Sequence, residues 1–452
     1  MGGSLAGLLA AHALAGHADR VTVVERDRLP DGPKPRPGVP QGRHPHVLLK
    51  GGQTALESLL PGFLTELREA GAPRVGMPSD MVMWQNGRWF RRMPATTHIY
   101  TGSRAQLEEL VRRRVLADPA ISVLDGTDVV GLLGDASRVR GVRLRERSGD
   151  AHAPSRSLEA DLVVDASGSG TRAPQWLTAI GAEVPQEETI DTGLAYASRV
   201  YRGPSGVLDG ETLGYYVYPG PDQVHGGGAL PLEDGTHLVI VSGLRGDEPP
   251  TGDDEFVTYT KRLAHPLLDR WLEDAEPLSP AFGFRRTANV RRRYDRPGRP
   301  AGFLATGDAL CTFNPIYGQG MAVAAMSAVA LRDALADPRR TPTTRRVQQA
   351  ILAASRQAWD ISAGADRKMP GATGTALDGG PADQVAGWYL RRVQERSPGD
   401  PVVGRAFRAV LTLSAPVSAL FAPPVARAVL FRPIGPTPAE PPAAPEEPGS
   451  RA

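Results

Sequence analysis

The sequence predicts an α/β fold: a Rossmann-like unit interlaced with an antiparallel-sheet domain and followed by C-terminal helices. Three observations predict it. A glycine-rich turn at residues 2–7 opens an apolar helix-like run and then a short β run ending at Glu25. Long β runs fill residues 190–245, and a second strand–turn–helix unit, 303–336, follows them. From about 345 to 432 the pattern is mainly helical.

Each element has a local reason. Gly2, Ser4 and Gly7 fill the three positions of a G-x-G-x-x-G turn, with Gly3 between them and Ser in the middle place. Such a turn puts backbone N–H groups and a helix N-terminus against a pyrophosphate. Glu25 falls 18 residues after Gly7, at the end of Val21-Thr-Val-Val24, where a carboxylate accepts from ribose hydroxyls. The first strand of this unit is missing, because only Met1 precedes the glycines. The expectation is that the chain as given starts late. Residues 29–46 are too rich in proline for regular structure. Helix is expected over 51–70, interrupted at Pro61, and strands over 80–93 around Asn86-Gly87. Ser103 caps a helix over 104–116. Strands are expected at 121–124, 129–133, 139–145 and 161–165, then at 194–201, 213–218 and 237–242. One helix carrying Phe256, Tyr259, Leu263 and Leu267 follows, then strand over 282–294 and 303–308 and a helix over 320–336. The apolar run 402–431 reads as a packed helical cap, and the Pro/Ala/Glu-rich end as disordered.

Composition limits the function. The chain has 452 residues, with 52 Lys+Arg against 50 Asp+Glu and a net charge of +2. Four of the basic residues are Lys and the rest Arg, which beside 51 Gly and 42 Pro fits GC-rich codon usage. No nucleic-acid partner is expected from so balanced a chain. The single cysteine, Cys311, excludes an internal disulfide and fits a reducing, cytoplasmic compartment. No apolar run is long enough to span a membrane, and the N-terminus lacks the basic start of a signal peptide. His44 and His46 lie two apart, but without a third ligand no metal site is expected.

Three blocks in order carry a family resemblance. They are Gly2–Gly7 with Glu25; Arg104 within Gly-Ser-Arg-Ala-Gln-Leu; and Ala305-Thr-Gly-Asp308 followed by Pro315-Ile-Tyr-Gly318-Gln319-Gly320. Together they resemble the FAD-dependent monooxygenases of the aromatic-hydroxylase type. The stretch Arg36-x-Gly-Val-Pro40-Gln41-x-x-His44-x-His46 and the segments Val163–Gly168 and Phe313–Gly318 look closest to the bacterial polyether (polyketide) epoxidases.

The resemblance implies FAD held by Gly2, Gly3, Ser4, Gly7, Glu25, Arg36, Gln41, His46, Arg104, Asp308, Gly318, Gln319 and Gly320. It places Asp308 near the pyrophosphate and ribityl chain, and the helix after Gly320 at the flavin's pyrimidine edge. It implies O2 as co-substrate and transfer of one oxygen through a C4a-hydroperoxyflavin to a lipophilic polyketide or terpenoid alkene. One departure concerns the reductant. Ser167-Gly168 stands where the NADPH-using hydroxylases carry Asp-Gly, so NAD(P)H or a separate flavin reductase partner remains open. No catalytic acid–base group is expected. Pocket candidates are Phe313, Asn314, Pro315, Tyr216, Tyr218 and Met83, with Tyr215, His225, Met81 and Trp84 beside them. Alternatives are hydroxylation of an aromatic polyketide, halogenation, prenyl-chain reduction or flavin binding without turnover. Halogenation is disfavoured because no Trp-x-Trp-x-Ile-Pro segment occurs.

The implied organisation is discontinuous. FAD-binding parts span 1–75, 101–185 and 296–340. Substrate-domain strands span 76–100 and a substrate sheet 186–295. A helical region covers 341–432 and a disordered tail 433–452.

Overall fold

The computed structural model describes residues 1–147, 154–204, 206–207, 212–377 and 381–443, with the backbone alone over 381–386. It is the expected mixed α/β chain. Strand Val21–Val24 pairs in parallel with Ile121–Leu124, and Val163–Asp165 in parallel with Phe303–Ala305. Met1 and Gly2 lie between the two pairs. Gly2 N–H donates to Val24 O at 2.8 Å, Met1 N to Val164 O at 2.8 Å, and Ala166 N–H to Met1 O at 2.9 Å. Helix Leu5–Ala15 leaves this layer with Leu5, Leu8, Leu9, Ala10, Ala11 and Ala13 all buried. A helix apolar on so many sides needs neighbours on several sides. It has them in helices Arg104–Leu116 and Gly320–Ala336.

The second layer is an eight-stranded sheet. Its order is 276–277, 195–202, 237–243, 226–231, 214–217, 81–85 and 88–89, with Phe282–Phe284 also on Ala195–Arg202. Every pair is antiparallel except Gly214–Val217 with Met81–Gln85, which is parallel. That parallel pair joins an early segment of the chain to the later eight-stranded sheet.

Several elements differ from expectation for identifiable reasons. Gly226–Pro231 is a central strand that its three glycines and proline conceal. The glycines are needed: a Cβ on Gly228 would lie 2.1 Å from Tyr215 O, and one on Gly227 would lie 2.7 Å from Ile240 O. The helix expected through Phe256 and Leu267 is two, Asp253–Thr260 and Leu267–Glu273, with Pro266 between them. The run 402–431 is also two helices, Pro401–Leu411 and Pro423–Phe431, parted where Leu413 takes φ +56° and Pro416 and Pro423 follow. Residues 433–443, placed in the disordered tail, run along the body instead. The Arg92 guanidinium donates to the carbonyls of Pro442 and Ala443, and His265 meets Glu440 at 3.1 Å. Proline-rich extended chain keeps its carbonyls free to accept in this way. The rest of the expected tail, 444–452, lies outside the described residues. Among the described residues no helix is long and apolar enough to cross a membrane.

Candidate active site

The glycine turn is shaped by close approach. Gly2 has φ +94°, and a Cβ there would lie 2.4 Å from Ala166 O. A Cβ on Gly7 would lie 1.8 Å from Gly2 O, so only glycine lets the helix start this close to its own turn. Gly3 N–H donates to Glu25 Oε2 at 2.5 Å. Glu25 Oε1 accepts from Asp27 N–H at 2.9 Å and pairs with Arg36 Nη1 at 3.1 Å.

Arg36 is buried among three carboxylates, Glu25, Asp27 and Glu108, the last at 2.6 Å. Burial opposes its charge, but Glu108 and Glu25 outweigh burial and raise its pKa. It therefore braces the acceptors from behind. Ser4 Oγ donates to Glu108 Oε2 at 2.6 Å and accepts from Arg104 Nη2 at 2.9 Å. Arg104 also pairs with Glu108 at 3.3 Å. This brings Ser4, Glu25, Arg36 and Arg104 into one polar cluster around the turn, fixed by a helix whose Ser103 cap accepts from Gln106 N–H.

Gln41 sits in the single turn Pro40–Arg43, whose Gly42 lies against the Arg104 side chain. His46 Nδ1 bonds His44 O at 2.8 Å. Burial and then Arg104 lower the His46 pKa to about 3, and burial with Arg43 lowers that of His44 to about 4. Both rings are neutral at pH 7. The unfolded chain binds protons on these histidines below about pH 6.5 that the folded chain refuses, so stability is full above that pH and falls as pH drops. His44 alone is expected to remove roughly 2 kcal/mol between about pH 6.5 and about pH 5, with His46 acting in the same direction. Urea midpoints across that window check this, and a flat profile contradicts it.

Asp308 follows strand Phe303–Ala305 at a turn where Gly307 takes φ +57°. Its backbone carbonyl accepts from Thr312 Oγ1 at 2.9 Å, while its carboxylate has no hydrogen-bond partner among the described residues. Burial raises its pKa, opposed by Arg104 and Arg292. Beyond it, Asn314 opens the turn Pro315–Tyr317, Gly318 takes φ +65°, and helix Gly320–Ala336 begins. A Cβ on Gly318 would lie 2.3 Å from Val47 Cγ2, whereas one on Gly320 would meet open space. Gln319 is 1% exposed, yet its Oε1 has no partner.

Helix Thr344–Asp366 anchors this loop. Asp366 Oδ2 accepts from Asn289 Nδ2 at 2.7 Å and Asn314 Nδ2 at 2.9 Å, and Oδ1 from Tyr317 Oη at 2.7 Å. Asn289 Oδ1 in turn accepts from Asn314 N–H and Ser362 Oγ. Burial raises the Asp366 pKa, and the three donors oppose it.

A cavity of about 310 Å³ adjoins the loop. Pro315, Gly318 and Gln319 form one end, Tyr196, Tyr216, Tyr218 and His44 the sheet side, and helices from residue 360 onward the cover. Tyr216 and Tyr218 meet edge to face at 4.7 Å between ring centres. Burial raises the pKa of both, Tyr218 to about 12, so they stay neutral donors. His44 Nδ1 is taken by Ser198 Oγ at 3.0 Å, leaving Nε2 toward the cavity.

Of the pocket candidates, Pro315, Tyr216, Tyr218 and Met81 line this space. The others do not. Asn314 is 0% exposed and committed to Asp366; Phe313 and Met83 are packed in the core. Tyr215 points to the opposite sheet face against Trp89, the face on which Trp84 also packs, and His225 is paired with Asp247 at 2.5 Å. Sequence reasoning missed Tyr196, Asp366 and Arg408. Only their places in the fold bring them here.

The polar groups fit a flavin dinucleotide: donors at the open N-terminus of the helix from Gly320, acceptors in the Asp308 carboxylate and the Gln319 amide oxygen, neither with a partner among the described residues, and a glycine turn braced at Glu25. Residues 1–361 match the FAD-binding domain family, and the chain belongs to it. The chain is 33% identical over 448 residues to protein Rv3254 of Mycobacterium tuberculosis, covering 90% of this chain and 92% of that one. Among solved structures it resembles the flavin-dependent brominase Bmp2 (TM-score 0.62, 16% identity, 91% of this chain and 92% of that one). It also resembles p-nitrophenol 4-monooxygenase PnpA from Pseudomonas putida DLL-E4 (TM-score 0.62, 16% identity, 85% and 90%). The fold is therefore one that flavin monooxygenases and halogenases share.

Proposed function

We propose that this protein is an FAD-dependent monooxygenase that places one oxygen atom from O2 on a lipophilic natural-product substrate, with alkene epoxidation the leading reaction. The observation that carries this reading is the covered, largely apolar cavity ending on Pro315, Gly318 and Gln319, the loop that opens helix Gly320–Ala336. Bound FAD supplies the two-electron and oxygen chemistry. The chain does the rest. Gly2–Gly7 and Asp308 hold the dinucleotide, with Arg36 bracing Glu25 at the ribose end. The N–H groups opening helix Gly320–Ala336 offer a positive dipole end to negative charge at the flavin edge. The C-terminal helices exclude water, which protects a reactive oxygen donor from decay.

Tyr216 and Tyr218 hydroxyls donate to substrate oxygens, and His44, neutral at pH 7, offers its Nε2 for a hydrogen bond with a substrate hydroxyl. That polar wall also favours a second reading, hydroxylation of an oxygen-bearing aromatic polyketide. Ser167 Oγ is turned onto Asp165 at 2.6 Å. No carboxylate stands at that position to receive a nicotinamide, which supports delivery of electrons by a separate reductase.

The test is turnover under isotope-labelled O2 with polyene and aromatic polyketide substrates, with NADPH and with a flavin reductase. Label in an epoxide is the expected result. Label in a phenol selects the second reading, and product without label rejects monooxygenation.

A further inference from the structure

The cover of the cavity holds a charge with no counterpart. Arg408, on helix Pro401–Leu411, lines the cavity and is 2% exposed. Its Nε donates to Thr96 Oγ1 at 3.0 Å, while Nη1 and Nη2 meet neither an acceptor nor solvent. Gly404, one turn earlier, leaves the space the guanidinium lies in; a Cβ there would be 3.1 Å from Nη1. Among the described residues no carboxylate pairs with Arg408. The two other charged side chains along the cavity, Asp360 and Lys368, are exposed at its rim. Burial, with Arg405 nearby, lowers the Arg408 pKa to about 10, so it stays protonated at pH 7. Beside Arg408 the helical cover lines the cavity mainly with apolar side chains, Val393, Phe407, Val410 and Leu411, together with Gln394 and Thr412.

A buried guanidinium with two idle donors is costly, and a hydrophobic side chain of the same size commonly gives a more stable protein. Such a group is explained when its partner arrives with the ligand. We infer that the cavity binds an amphiphilic monocarboxylic acid, its carboxylate on Arg408 Nη1 and Nη2 and its apolar chain running toward Pro315 and Gln319. One planar guanidinium matches one planar carboxylate through paired hydrogen bonds. Both nitrogens are enclosed in the ligand-free fold, so on this inference the side chain turns about its Thr96 anchor when the carboxylate enters. Arg408 is thereby a specificity-determining residue. It sets which end of the substrate enters the helical cover and which end lies at the flavin.

This inference rests on reading the cavity as the substrate chamber. Its test is kept apart from the chemistry by using a saturated probe that offers no alkene. Binding of decanoate and of 1-decanol to the FAD-loaded full-length protein is measured by equilibrium dialysis. Decanoate is expected to bind at least about tenfold more tightly. In Arg408→Met that preference disappears while 1-decanol binds as before, and the ligand-free variant melts no lower than the parent. Equal binding of the two probes by the parent protein overturns the inference, as does a preference that survives in Arg408→Met. If Arg408→Met does not fold, Arg408→Lys replaces it. The preference is then expected to shrink, since a single ammonium cannot grip both oxygens in plane, and an unchanged preference overturns the inference.

Discussion

Asp308→Ala is expected to lose most of its FAD on purification. The carboxylate has no hydrogen-bond partner among the described residues, and its turn packs against helix Gly320–Ala336. A charged hydrogen bond to a ligand contributes about 1.5–3 kcal/mol, so FAD affinity should fall by roughly ten- to a hundredfold. The same change removes a charge that burial disfavours. The apo variant should therefore melt at or above the temperature of the apo parent. Visible flavin absorbance at full stoichiometry in the variant would overturn the role given to Asp308. Loss of FAD together with a lower melting temperature would point to a folding defect instead.

Asp366→Ala carries the second large effect, this time on stability. Its carboxylate receives Asn289 and Asn314, both sealed from water, and Tyr317, which is partly buried where it lines the cavity. Removing it leaves them unsatisfied, at a cost of about 3 kcal/mol or more. Asp366→Asn keeps an acceptor but adds two donors to a place already full of them, and should lie between alanine and the parent. Urea denaturation with FAD present orders the three proteins. Equal midpoints would show that the loop 313–320 is held by other contacts.

What the sequence revealed and what it hid divide by distance along the chain. The Ser103 cap and the helix Arg104–Leu116 were readable because cap, spacing and helix are neighbours. The helix Gly320–Ala336 was readable for the same reason. Glu25 was readable as an acceptor, but its engagement by Arg36 was not, because Glu108, 72 residues from Arg36, completes that cluster. Strand Gly226–Pro231 was hidden since glycine and proline argue against strand locally. Here they answer to neighbours that exist only in the folded sheet. The cavity was the least legible part. Tyr216 faces it and Tyr215 does not, a distinction of register, and its cover comes from helices beyond residue 360 whose own sequence signals only packing.

The parallel pairing of Met81–Gln85 with Gly214–Val217 also bears on how this enzyme can be recombined. A donor sheet grafted over 186–295 alone would arrive without the strand that seats against its edge. It would meet instead a recipient strand whose side chains evolved against other partners. Crossovers that carry 76–100 and 186–295 from the same parent keep that seam matched. Chimeras cut between them are expected mainly in the insoluble fraction, so the two segments behave as one heritable folding cassette.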